Sequence, residues 1–268
     1  MSAGPDLRRA VEAARWYHTI ELPGGIVTRG EYDLRPAVAQ VPLPASLTGR
    51  RCLDVGTRDG FWAFEMEKRG ATDVVGIDLD DPSQYDWPAP APVLDAAARA
   101  EIEQRNQCFG IARDALGSSV ERRVQSVYTL DPEVMGRFDF AMIGTLALHL
   151  RDPVGALMGI RRVMEPGGTL LVKDVVSLSL SLLRPRAPAA ALMTRDEPFW
   201  WIPNRAALER YVHAAGFEVL DSSGIWFEKN GQTLPRPPLR QWRKAGSLGR
   251  YLVLKRGAPH AWVLGRPR

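Results

Sequence analysis

Between Cys52 and Trp62 the chain reads Cys-Leu-Asp-Val-Gly-Thr-Arg-Asp-Gly-Phe-Trp, and eighteen residues past Gly60 a second apolar run ends on Asp78. Together these segments restrict the fold more than any other feature. An apolar strand enters a turn with glycines four apart, a helix follows, and a second strand ends on a carboxylate. Open α/β sheets hold a nucleoside at their carboxyl edge in this way: glycine lets the backbone approach the ligand and the acid takes the ribose hydroxyls.

The turn narrows the choice of nucleoside. A dinucleotide fingerprint needs three glycines, because a pyrophosphate must rest on the helix N-terminus. Here only Gly56 and Gly60 are present, and Asp54 stands two residues before the first. A carboxylate there repels a pyrophosphate and suits the ammonium of a methionine moiety. The Asp54-x-Gly56-x-x-x-Gly60 motif resembles the first motif of class I S-adenosylmethionine (SAM) methyltransferases, and Asp78 resembles their ribose-binding acid. That resemblance implies SAM as cofactor, with Asp54, Gly56, Thr57, Gly60, Asp78, Leu79, Ser126 and Gly144 as its binding residues.

The rest of the chain is read to match. Strands are expected at Arg51–Val55, Asp73–Asp78, Arg123–Val127, Phe138–Ile143, Thr169–Asp174 and Phe217–Asp221, with final strands near Tyr251–Leu254 and His260–Leu264. Helices are expected near 6–16, 59–69 (closed by Gly70), 95–116 (capped by Gly117), from Asp152-Pro153 up to Gly167-Gly168, and 204–215. Strand alternating with helix implies a parallel sheet with right-handed crossovers. The expected architecture is α/β, a Rossmann-like seven-stranded methyltransferase sheet whose last two strands form an antiparallel hairpin. Residues 1–48 are expected as an N-terminal helix and lid segment. Residues 49–268 form the SAM-binding domain, with a substrate-covering insertion at about 177–203.

A closer resemblance lies in Trp16 to Gly30, Asp54 to Trp62, Asp78 to Pro82, Ala147-Leu-His-Leu-Arg-Asp-Pro153, and Trp201-Ile-Pro-Asn204 through Gly216-Phe217. These segments are similar to the tRNA wobble-uridine carboxymethyltransferases and their methyltransferase relatives. In the tRNA enzymes a tyrosine precedes the histidine after the fourth strand and helps bind the extra carboxylate of carboxy-SAM. Leu148 holds that place here, and an apolar side chain cannot pair a buried anion. Ordinary SAM and simple methyl transfer are therefore expected.

Among four histidines, His149 follows the fourth strand at the sheet edge and His18 lies in the lid, so both are candidate general bases. His213 falls inside a helix and reads as structural, while His260 opens a C-terminal strand and is open to either role. Trp16, Tyr17, Trp200 and Trp201 are candidate walls of an acceptor pocket, or plain packing.

Composition excludes other classes. Apolar content of 45% and charged content of 25% are those of a water-soluble globular chain. Cys52 and Cys108 have no metal-ligand spacing and imply no disulfide framework. No signal-type segment or membrane span is read, which leads to the expectation of a cytoplasmic protein. After Glu228 there is no acid but ten Lys and Arg, from Lys229 to Arg268. That asymmetry keeps nucleic acid as an alternative partner to a small molecule. Three functions remain: a small-molecule methyltransferase, such as one acting on a secondary metabolite; a tRNA-modifying methyltransferase or carboxymethyltransferase; and a non-catalytic SAM-binding protein. Oligomeric state is not legible.

Overall fold

The computed structural model describes residues 5–89, 91–193, 199–234 and 255–268. In chain order the helices are α1 (Pro5–Ala13), α2 (Phe61–Lys68), α3 (Ala96–Leu116), α4 (Pro132–Met135), α5 (Pro153–Arg162), α6 (Leu178–Leu183) and α7 (Arg205–Ala214). The strands are β1 (Glu21–Leu22), β2 (Ile26–Val27), β3 (Arg51–Val55), β4 (Asp73–Asp78), β5 (Glu121–Val124) and β6 (Phe138–Gly144). They continue with β7 (Met164–Val175), β8 (Ala190–Leu192), β9 (Trp201–Pro203), β10 (Phe217–Ser222), β11 (Trp226–Glu228) and β12 (Ala258–Pro267).

The central sheet runs in the order β10-β12-β7-β6-β3-β4-β5, with β11 paired to β12 as an eighth strand off that path. From β7 through β5 all pairs are parallel. β12 is wedged antiparallel between β7 and β10. The seven-stranded expectation holds. Of its last two strands, the one at Tyr251–Leu254 lies outside the described residues, and β12 takes β10 as its antiparallel partner instead. β11 was not anticipated.

Local chemistry explains the element ends. Asp95 accepts from the Ala98 N–H at 2.8 Å and starts α3, which Gly117 closes at φ 60°. Asp152 accepts from Gly155 N–H at 2.8 Å with Pro153 in the first turn of α5. β5 ends earlier than expected, at Val124, because Ser126 caps a separate 3-10 turn over Val127–Thr129. α5 also ends earlier, at Arg162, and β7 has already begun at Met164, so Gly167-Gly168 lie inside the strand.

Two hydrophobic layers cover the sheet. One packs α5 and α7 against β6, β7 and β12. The other joins Val11, Trp16, Ile20, Leu22, Ile26 and Leu34 to Phe61, Phe64, Phe109, Met142 and Leu171. The N-terminal segment thus shares a core with α2, α3 and the sheet. Trp16 is buried there, its indole donating to Val11 O at 2.9 Å, and it borders a hollow of the N-terminal segment beside Arg8, Val11 and Arg29, not a space at the carboxyl edge of the sheet. Among the described residues no helix is long and apolar enough to cross a membrane.

Candidate active site

After β3 the chain builds outward through β4 and β5, then returns to place β6 on the other side of β3. Ligands of open α/β sheets sit at such a reversal, outside the carboxyl ends of the strands. A cavity of about 310 Å³ lies there, lined by Gly56 after β3, Asp78 and Leu79 at β4, Ser126 after β5, and Gly144 at the end of β6. His18 and His149 also line it, as do Tyr17, Arg58, Trp62, Tyr85, Asp86, Trp87, Tyr128 and Thr145.

Gly56 adopts φ 79°, and a Cβ there would stand 3.0 Å from Leu146 Cδ2; one on Gly144 would stand 2.9 Å from Trp62 Nε1. Both positions leave bare backbone facing the cavity. The Asp78 carboxylate accepts from Arg58 N–H and Leu79 N–H, each at 2.8 Å, which fixes it at the rim.

Three of the expected residues lie beneath the cavity rather than on it. Asp54 is buried, accepts from Ala63 N–H in α2 at 3.2 Å, and is pushed up to about 7 by burial. Its Oδ2 is turned to the helix, and Asp54 is not among the residues that line the cavity. Thr57 fills the space over Gly76, where a Cβ would meet its hydroxyl at 2.7 Å. Gly60, at φ 91°, makes room for Phe64 and Phe109.

His18 reaches the cavity because its backbone is pinned. Tyr17 N–H and His18 N–H both donate to one Asp59 oxygen, at 2.6 and 2.8 Å. Asp59 belongs to the glycine turn, so one carboxylate ties the N-terminal segment to the floor of the cavity, a connection the sequence reading missed. Burial raises Asp59 to about 6, and backbone N–H bonds and Arg58 partly offset it. The His18 ring is buried, its Nδ1 has no hydrogen-bond partner, and burial with Arg58 and Lys173 nearby holds its pKa down to about 3.

His149 is half-buried and packs on Phe199 at 4.9 Å between ring centroids. Asp174, at the end of β7, accepts from Leu148 N–H at 3.2 Å and so steadies the turn that carries His149. The Leu148 side chain is buried and does not line the cavity. Trp200 bonds Asp86 O at 2.6 Å and Trp201 bonds Arg151 O at 3.0 Å; they brace the rim rather than line it. Of the four expected aromatic walls only Tyr17 is one; Trp62, Tyr85, Trp87 and Tyr128 supply the others.

Asp86 was also missed. Its carboxylate accepts from Tyr128 OH at 2.5 Å and Arg151 N–H at 2.8 Å, joining the loop after β4 to the turns after β5 and β6. A signal was present in the sequence: a lone acid between Tyr85 and Trp87 in a proline-rich loop. His213 is exposed, with Arg268 2.9 Å from its Nδ1, while His260 is buried beside Lys173 and Glu228.

A family model described as a methyltransferase domain matches residues 28–222. The chain belongs to that methyltransferase family. The matched domain is of the kind that takes SAM as its methyl donor. The chain is 28% identical over 174 residues to a tRNA U34 carboxymethyltransferase of Ectopseudomonas mendocina, covering 64% of this chain and 46% of that protein. The chain thus spans about half the length of that relative. It is 27% identical over 186 residues to a ubiquinone biosynthesis O-methyltransferase of Xanthomonas euvesicatoria, covering 68% of each. Its fold is similar to a crystal structure of the N-terminal domain of EvdMO1 in the presence of S-adenosylhomocysteine (SAH) and D-fucose. The TM-score is 0.56 at 20% identity, covering 98% of this chain and 96% of that one.

The methyltransferase's own residues fit SAM. Two glycines expose backbone on either side of the cavity, Asp78 offers an anchored carboxylate at its rim, and His18 Nδ1 is a buried polar atom without a partner.

Proposed function

We propose that this methyltransferase transfers the methyl group of SAM to a hydroxyl or amine of a small molecule. The supporting observation is the aromatic-lined cavity, partly open to solvent: about 310 Å³, with Tyr17 and His18 from the N-terminal segment and Trp62, Tyr85, Trp87 and Tyr128 around it. That size and lining are those of a small-ligand site. Bound SAM supplies an electrophilic methyl on a sulfonium, so the protein's tasks are alignment, exclusion of water and removal of a proton.

In this reading Asp78 holds the ribose hydroxyls, and the bare backbone of Gly56 and Gly144 allows close approach. His149 is the general base, on a turn held by Asp174 and backed by Phe199. His18, the other candidate base, serves differently. A histidine held near pKa 3 stays neutral at pH 7 and is a weak proton acceptor, so it contributes a hydrogen bond. Residues 177–203 bring Phe199 and Trp200 against the His149 turn, which supports their reading as an acceptor-side cover. Leu148 offers no partner to an added carboxylate, which favours ordinary SAM over carboxy-SAM.

A second reading, modification of tRNA, draws on the named relative and on the basic residues after Glu228. One experiment separates the two. Extracts of the source cells, split into RNA and metabolite fractions, are incubated with the enzyme and methyl-labelled SAM. Label in a metabolite supports the proposal; label in tRNA, with binding that weakens steeply as salt rises, refutes it.

A further inference from the structure

Thr145 follows β6 directly and lines the cavity, yet its backbone is in the left-handed region at φ 57°. For a β-branched residue that conformation is a genuine outlier, and such strain persists only where the surroundings over-determine it. Thr145 N–H donates to Lys173 O at 2.7 Å. Its hydroxyl is gripped too, by Lys173 Nζ at 2.9 Å and His260 Nε2 at 3.3 Å.

Behind it lies a dry ionic cluster. Lys173 on β7, Glu228 on β11 and His260 on β12 are 1%, 5% and 2% exposed. Glu228 pairs with the Lys173 ammonium and stands 3.5 Å from His260 Nε2. The ammonium also sits 5.9 Å from the ring centres of both Trp62 and Trp226. Nothing in a fold of this size needs such a cluster for stability, since a buried pair often gains little over apolar packing.

Hydrogen-bond bookkeeping gives the cluster a purpose. His260 Nδ1 lies 2.9 Å from Ala258 O, so the ring carries its proton there and presents a lone pair at Nε2. Burial outweighs the attraction of Glu228 and holds the imidazole neutral, down to about 4. Lys173 can only donate. Thr145 therefore accepts from Lys173 and donates to His260, and what remains for the cavity is an oxygen lone pair without a hydrogen.

We propose that Thr145 is a specificity-determining residue that recognises an O–H or N–H on the acceptor molecule, its hydroxyl fixed as a pure hydrogen-bond acceptor by Lys173 and His260. The inference rests on the small-molecule reading of the cavity and deepens it: acceptors carrying such a donor near the reacting atom are selected, and fully alkylated analogues are rejected. Lys173 and His260 are positioning residues that touch Thr145, not the acceptor.

Two measurements test it. The first needs no acceptor. Nitrogen-15 NMR of the SAH-bound enzyme should show His260 neutral with its proton on Nδ1 from pH 6 to 8. A proton on Nε2 would free the Thr145 hydrogen and overturn the proposal. The second compares Thr145→Val and Thr145→Ser with wild type, using the metabolite that takes up label from SAM. Thr145→Val should lower kcat/KM about tenfold to hundredfold at unchanged SAH affinity, with a lowered melting temperature because Lys173 and His260 lose their partner, and Thr145→Ser should restore most of the rate and of the melting temperature. Unchanged turnover would overturn the proposal. A parallel fall in SAH affinity would overturn it too, by assigning the donor to the cofactor's α-ammonium. Wild-type enzyme that binds SAH but labels only RNA fails the small-molecule reading, and the Thr145 assignment with it; the tautomer measurement then shows whether the Thr145 hydroxyl is nonetheless an acceptor.

Discussion

Replacing Asp59 probes how the N-terminal segment is held. One buried oxygen accepts both Tyr17 N–H and His18 N–H. Asp59→Ala strands two buried donors, at about 1–3 kcal/mol each, so a loss of about 2–6 kcal/mol is expected. In a chain of this size each kcal/mol moves the melting temperature about 2–4 °C. Asp59→Asn keeps an oxygen in the same place and removes the buried charge, so it should melt at or above wild type at pH 7.

The pH dependence has a definite sign. Folding raises this carboxyl from 3.8 to about 6, so the native state binds the proton more tightly and the benefit of the protonated form appears as pH falls. Wild type should gain about 2–3 kcal/mol relative to Asp59→Asn between pH 7 and pH 4. Thermal melts of the three proteins across that range, with SAH affinity measured alongside, decide the matter. If Asp59→Ala melts with wild type, or if Asp59→Asn is as damaged as Asp59→Ala, the shared oxygen is not what pins the N-terminal segment.

Asp78→Ala should weaken SAM binding by about 1.5–3 kcal/mol through loss of charge-assisted hydrogen bonds, measured by calorimetry; unchanged affinity would remove Asp78 from the site. His149→Ala should lose on the order of 10²–10⁴ in turnover at constant SAH affinity, and a variant that merely melts earlier while its folded fraction turns over normally would show a structural role. His18→Ala should reduce turnover without shifting the pH–rate profile near neutrality, because this ring does not titrate there. A lost limb in that profile would contradict the assignment.

The parts of this fold read from sequence are those whose signals are local. The strand ending at Val55, the turn through Gly60 and the strand ending at Asp78 carry their own punctuation. So do the caps at Asp95, Asp152 and Asn204, whose side-chain oxygens satisfy helix N–H groups three residues on. His18 and His149 were legible as cavity residues by position, but the difference between them was not. Burial and the Arg58 and Lys173 charges make that difference, and all three are tertiary. The Thr145–His260 contact spans 115 residues and depends on β12 entering the sheet, so no spacing rule exposes it. β11 escaped notice because three residues, Trp226 to Glu228, are too short to show a period.

The wedged position of β12 governs when this enzyme can come into being. Residues 258–267 fill the gap between β7 and β10, and in sequence they come after every strand they join. Until that segment leaves the ribosome, β7 has an open hydrogen-bonding edge, a ready template for pairing with other chains. Such late, long-range closure is slow and leaves intermediates open to aggregation. Because His260 rides on the same strand, the buried cluster behind Thr145 is absent until the sheet closes. A nascent chain therefore has its glycine turn and Asp78 long before the surroundings of Thr145 are complete, and chaperone demand during synthesis should fall on the exposed flank of β7.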